Sequence, residues 1–230
     1  MATTSARRPA RRKAPARRAA SKRATKTAPA LLPTAHQTVG PFFPAQFIRP
    51  ADNDLAGLGD GRPRAQGAPC VIVGTVRDID DNPAVNIILE IWQANAAGRF
   101  NHPNDKGSAP LDPHFTGWGR TWTDRDGGYR FTTVKPGGYP AGPRSNRWFA
   151  PRIAMTIVGS GLMRPLVTCL YFPDEPLNDD DPQLAAIRDP NARRQLIVVP
   201  DHHAAAPAGV PAYRFDIRLG GKLATPFLVD

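Results

Sequence analysis

Twenty-six prolines and twenty glycines are spread along this 230-residue chain, so few stretches run long enough to continue as a helix before a breaker intervenes. Short strands joined by turns are the expected result. Residues 70–77 (CVIVGTVR) and 85–93 (VNIILEIWQ) are rich in β-branched side chains, and the DIDDNPA between them reads as a turn, which predicts a hairpin. Residues 120–124, the turn residues Asp126-Gly127-Gly128 and residues 129–134 predict a second. Residues 153–158 and 167–172 supply two more apolar strands. Further on, Tyr213, Phe215, Ile217 and Leu219 alternate with Arg214, Asp216 and Arg218, the pattern of a strand with one buried face. This strand count favours a sandwich or a barrel. Short helices are expected after Asp181-Pro182 and Asp189-Pro190, where an N-cap carboxylate precedes a proline suited to the first helical position.

A formal charge of +10 points to nucleic acid until the charges are located. Residues 1–33 hold ten Lys and Arg and no acidic residue, which leaves twenty basic against twenty acidic residues in the rest of the chain. The body, residues 34–230, is therefore formally neutral. The tail repeats Ala, Pro, Arg and Lys, buries too little apolar surface to offset its ordering entropy, and is expected to be disordered. It offers a salt-sensitive polyanion contact, and a solubilising extension is the plainer reading. Its arginine pairs lead into no apolar run, because Leu31-Leu32 is followed at once by Pro33, so an export signal is not expected. No run of about 18 apolar residues suggests a membrane span. Cys70 and Cys169 match no zinc spacing and read as reduced thiols of a cytoplasmic protein, with one disulfide as the alternative.

The common catalytic signatures are absent: there is no phosphate-binding glycine loop, no HExxH and no nucleophile elbow. His36, His102 and His114 are scattered, and His202-His203 sits in an expected loop where solvation is the simpler reading. The acidic NDDDP, residues 178–182, is sufficiently explained as a turn before a helix.

Longer motifs carry more information. LEIWQANAAGRF (89–100), GWGRTWTDRDGGYRFTTVKPGGYP (117–140), LYFPDEPL (170–177) and YRFDIRLGG (213–221) occur in an order and spacing that resembles the intradiol ring-cleavage dioxygenases, and among them the protocatechuate 3,4-dioxygenases. The resemblance spans roughly residues 34–230. It implies a mainly β protein, a mixed β-sandwich with short helices and long loops. It also implies a non-haem Fe(III) centre that supports O2-dependent cleavage of 3,4-dihydroxybenzoate (protocatechuate) to 3-carboxy-cis,cis-muconate.

The family holds its iron with two tyrosines and two histidines. Matching the motifs places the first tyrosine on Phe100, the second on Tyr139, and the two histidines on Arg152 and Ala154. Phe100 has no oxygen, Ala154 has no donor atom, and Arg152 is a permanent cation with hydrogen-bond donors only. No metal is therefore expected on this chain, and no catalytic residue. Arg152 reads first as a replacement that fills a vestigial pocket, and second as a receiver for an anion or a carboxylate.

That pattern is similar to the α chains of the two-chain enzymes, whose homologous β partner keeps the Tyr/Tyr/His/His set. The resemblance implies that Fe(III), protocatechuate and O2 meet at the interface, on the β side. QTVGPFF (37–43) resembles the α segment that walls the partner's pocket, so Thr38, Gly40, Pro41 and Phe42 are the candidate wall residues, a rigid turn being the simpler reading. Two other readings stand beside this one: a stand-alone β-sandwich binding module without catalysis, and a polyanion-binding protein acting through its tail.

Overall fold

The computed structural model describes residues 40, 45–59, 61–142 and 145–228. Eleven strands account for most of the regular structure in these residues, with two short α-helices and two 3₁₀ turns.

One sheet is built around β1 (Pro69–Arg77). Along one edge β1 pairs antiparallel with β4 (Gly128–Val134), from Pro69 opposite Val134 to Thr75 opposite Gly128. Along the other it pairs parallel with β10 (Ala212–Arg214) and β11 (Ile217–Arg218), which keep a single register: Val71 faces Ala212 and Val76 faces Ile217. β9 (Val199–Pro200) closes that side against β10. The second sheet is antiparallel throughout, in the order β3 (Trp118–Trp122), β2 (Ile88–Trp92), β7 (Arg152–Val158), β8 (Leu166–Tyr171). β5 (Tyr139–Pro140) and β6 (Trp148–Phe149) form a separate two-stranded ribbon.

Inward side chains from both main sheets make one apolar cluster. Ile72 and Val76 of β1 and Phe131 of β4 belong to it, as do Leu89 and Ile91 of β2 and Ile153, Met155 and Ile157 of β7. All are at most 1% exposed, and fully burying side chains of this size contributes about 1.5–3 kcal/mol each. The expected mainly β sandwich is what the chain forms.

Neither predicted hairpin forms. The turn between β1 and β2 is real: Asp78 accepts from the Asp80 and Asn82 amides, at 2.9 and 2.8 Å, and Arg77 bridges Pro83. Beyond it, Asn86 takes a left-handed backbone (φ 58°), and the chain crosses to the other sheet before β2 begins at Ile88. Thr123 fixes this crossing, its hydroxyl accepting from the Ile87 amide and donating to the Ala84 carbonyl. The Asp124–Gly128 turn likewise carries the chain from β3 in one sheet to β4 in the other. Each turn thus connects strands stacked across the core, because both must direct their apolar faces into the same layer.

The strand expected over residues 213–219 is interrupted at Phe215–Asp216. There the Asp216 carboxylate accepts from the Thr75 amide (2.8 Å) and hydroxyl (3.1 Å), so a side chain replaces one backbone rung. Both helices start where expected. Asp181 caps α1 (Pro182–Ala186) and Asp189 caps α2 (Pro190–Gln195), each with proline in the first position. Cys70 and Cys169 are free and buried. No described helix is long and apolar enough to cross a membrane.

Candidate functional site

Alternation along β7 sends Ile153, Met155 and Ile157 into the core and leaves Arg152, Ala154 and Thr156 on the opposite face. Arg152 and Ala154 therefore lie side by side on one surface of the sheet. Antiparallel register sets Tyr171 beside Arg152, and Trp92 and Cys169 on either side of Ala154. Close backbone packing brings Phe100 and Tyr139 onto this surface. Gly98 has φ 78°, and a Cβ there would fall on the Gly138 carbonyl oxygen; a Cβ on Gly137 would sit 2.5 Å from the Ala96 carbonyl oxygen. Asn95 locks the approach, its side-chain oxygen accepting from the Ala97 and Arg99 amides and its carbonyl accepting from Gly137 (2.9 Å). Only glycine permits contact this close.

Phe100 and Tyr139 meet edge to face, ring centroids 4.9 Å apart, and Trp92 stacks on the far side of Phe100 at 5.8 Å. Arg152 donates from Nε to the Tyr139 hydroxyl (2.9 Å) and from Nη1 to the Tyr171 hydroxyl (3.3 Å). Its guanidinium carbon lies 3.8 Å from the Phe149 ring centroid, a cation–π contact. Burial pushes the Tyr139 phenol upwards in pKa, and the Arg152 charge offsets this only in part. Burial does the same to Tyr171, again opposed by Arg152. Both phenols are consequently neutral near pH 7. Tyr171 also lies 3.4 Å from Asp181 Oδ1 and 3.3 Å from Gln183 Oε1.

Asp181 anchors this corner. Its Oδ1 accepts from the Gln183 and Leu184 amides, at 2.8 and 3.0 Å, and its Oδ2 from the Ala150 amide at 2.8 Å. The helix cap thereby holds the segment leading into Arg152.

Tyr139 contacts both Phe100 and Arg152, and Ala154 follows Arg152 on the same face. These four do not suit iron. One phenol remains, its oxygen already accepts from a cation, and the neighbouring positions offer a hydrocarbon ring, a guanidinium and a methyl group. Among the described residues no three His, Cys, Asp or Glu side chains gather as metal ligands. His102, His114, His202 and His203 are exposed and apart from this surface, save that His102 touches Trp92 edge-on. His36 lies outside the described residues, as do Thr38, Pro41 and Phe42. Gly40 is described: it takes φ 71°, and an added Cβ would meet no described atom within 4 Å.

Phe149, Tyr171 and Asp181 escaped sequence reasoning as members of the site. Tyr171 and Asp181 lie within the LYFPDEPL and NDDDP segments, but only strand register sets Tyr171 beside Arg152, and only the cap of α1 brings Asp181 to Tyr171 and Ala150.

A family profile described as dioxygenase matches residues 38–221. The chain is 40% identical over 188 residues to the protocatechuate 3,4-dioxygenase β chain of Burkholderia cepacia, covering 81% of this chain and 79% of that one. This chain belongs to the intradiol ring-cleavage dioxygenase family. The α chain from the same organism is 35% identical over 84% of this chain and 95% of its own length. The Pseudomonas putida α chain is 33% identical over 72% and 78%. Among solved structures, the dioxygenase domain of a dioxygenase–carbohydrate-binding fusion from Streptomyces sp. SirexAA-E superimposes with a TM-score of 0.53 at 26% identity, over 81% of this chain and 97% of that one. Catechol 1,2-dioxygenase from Acinetobacter sp. ADP1 shares the fold at TM-score 0.54 and 24% identity, over 77% and 60%. Both α and β chains are thus homologues, and because identity to this β chain exceeds that to the two α chains, overall likeness does not by itself assign the subunit type.

Proposed function

We propose that this chain is the iron-ligand-deficient α subunit of a protocatechuate 3,4-dioxygenase. It would support O2-dependent cleavage of 3,4-dihydroxybenzoate at an Fe(III) site on a homologous β chain carrying the Tyr/Tyr/His/His set. The observation that carries this reading is the hydrogen bond from Arg152 Nε to the Tyr139 hydroxyl. A guanidinium and a metal cation repel each other, and here the guanidinium occupies the sole candidate phenol among the four matched positions. The α-chain relatives, one matched over 95% of its length, support a chain of this type. In this reading the chain supplies an interface and a pocket wall from Thr38, Gly40, Pro41 and Phe42, and its basic tail is dispensable for cleavage.

Co-expression with a β-type chain is the test. The expected result is a single complex that contains iron and cleaves 3,4-dihydroxybenzoate, while this chain purified alone is colourless and iron-free. A coloured single-chain preparation with about one iron per chain would refute it. The same Arg152–Tyr139 pair, which closes the iron position without calling for a partner, favours a second reading, a binding module that works without one. Failure to associate with any β-type chain, with the fold intact, would select that reading.

A further inference from the structure

Among the described residues, the half-buried guanidinium of Arg152 has no carboxylate in direct contact. Its contacts are two neutral phenols, and no carboxylate lies within ion-pairing distance among the described residues. A guanidinium carries five N–H donors. Two are used on Tyr139 and Tyr171, so three lack a protein acceptor among the described residues. Tyr139 adds another donor: its oxygen accepts from Arg152, and no described group accepts its own proton. Asp181 makes no direct ion pair with the cation: its oxygens accept from the Gln183, Leu184 and Ala150 amides, and it reaches Arg152 only through the Tyr171 hydroxyl, which leaves the remaining guanidinium N–H groups to another acceptor.

Rings frame these donors. Phe149 lies under the guanidinium, Phe100 stands edge to face with Tyr139, and Trp92 backs Phe100. Phe100, Tyr139, Phe149, Arg152 and Ala154 each keep some exposed surface, so donors and rings are reachable from solvent. The methyl group of Ala154 leaves the adjoining position on this face short. A planar fork of donors matches a carboxylate, and one positive charge matches one negative charge.

We propose that this cluster is a binding site for an aromatic monocarboxylate on this chain itself, with the carboxylate on Arg152 and the Tyr139 hydroxyl and the ring against Phe100 and Phe149. The site requires neither iron nor a partner chain, so it stands or falls independently of the subunit role.

The test titrates the full-length chain, alone and iron-free, with 4-hydroxybenzoate, 4-hydroxybenzyl alcohol and inorganic phosphate, read by calorimetry. Saturable binding of 4-hydroxybenzoate is expected, with neither the neutral alcohol nor phosphate saturating over the same range. Arg152→Gln should weaken it roughly tenfold or more, as expected for loss of a charge-assisted pair. Tyr139→Phe keeps the ring and should weaken it about threefold. Should Arg152→Gln fail to fold, Tyr139→Phe decides the matter. Equal binding of the alcohol, tighter binding of phosphate, or unchanged affinity in a folded variant would overturn the proposal.

Discussion

Replacing Asp181 with alanine tests how the Arg152 corner is held. The carboxylate is fully buried, caps α1 through two amides and accepts the amide of Ala150, which is itself 0% exposed. Losing the cap costs about 1 kcal/mol. Leaving the Ala150 N–H buried without an acceptor costs about 1–3 kcal/mol more. The expected loss is therefore about 3 kcal/mol, a fall in Tm of roughly 6–12 °C for a domain of this size. Asp181→Asn separates the two contributions, since its one oxygen can keep the cap while its amino group cannot accept from Ala150. It should lose about 1–3 kcal/mol. Urea unfolding of each purified variant, with stability taken from the midpoint and slope, is the assay. An alanine variant within about 0.5 kcal/mol of wild type, or an asparagine variant equal to wild type, would refute the reasoning.

Gly98→Ala should misplace Phe100 and Tyr139 and destabilise by at least about 1 kcal/mol, because it combines φ 78° with a clash on the Gly138 carbonyl; a crystal structure of an equally stable variant with both rings in place would contradict this. Burial pushes the Cys70 thiol to about 12 and the Cys169 thiol to about 11, so a thiol reagent at pH 8 should label neither until the chain unfolds. The sign of the accompanying pH effect follows from linkage: stability is retained below the ordinary thiol value of 9.0 and is lost as pH rises towards those folded values, by up to about 1.4 kcal/mol per pH unit per thiol. Alkaline unfolding curves of Cys→Ala variants, flatter than wild type in that window, would check it. In the proposed two-chain enzyme, Gly40→Val should lower kcat/KM roughly tenfold with assembly and iron preserved, as a φ of 71° disfavours a branched side chain; wild-type kinetics would reduce residues 37–43 to a structural turn.

Local chemistry was legible in the sequence, and pairing was not. Asp181-Pro182 and Asp189-Pro190 start helices because a cap and its proline act within one turn. The apolar runs became β1, β2, β7 and β8 because β-branched residues suit a pleat wherever it lies. Which strands pair depends on stacking across the core, and the connection that reads as a hairpin turn takes two left-handed residues, Asp81 and Asn86, as it crosses between the sheets. The site shows the same division. Motif matching located Phe100, Tyr139, Arg152 and Ala154, and their chemical unsuitability for iron follows from residue type alone. The Phe149 stack, the Tyr171 contact and the Asp181 anchor come from register and a helix cap that no spacing encodes.

The parallel partnership of β1 with β10 and β11 joins residues 141 positions apart, Val71 with Ala212 and Val76 with Ile217. A nascent chain therefore cannot complete this sheet until residue 218 has left the ribosome, long after β1 itself. Until then, β1 and β4 present an unfinished edge of hydrogen-bonding groups beside apolar side chains, the kind of surface that chaperones cover and that aggregates exploit. Folding of so non-local a topology is slow compared with helical proteins of equal stability. Removing residues 211–230 would take away both β10 and β11, so a cut there strips one whole edge of β1 rather than trimming a dispensable segment.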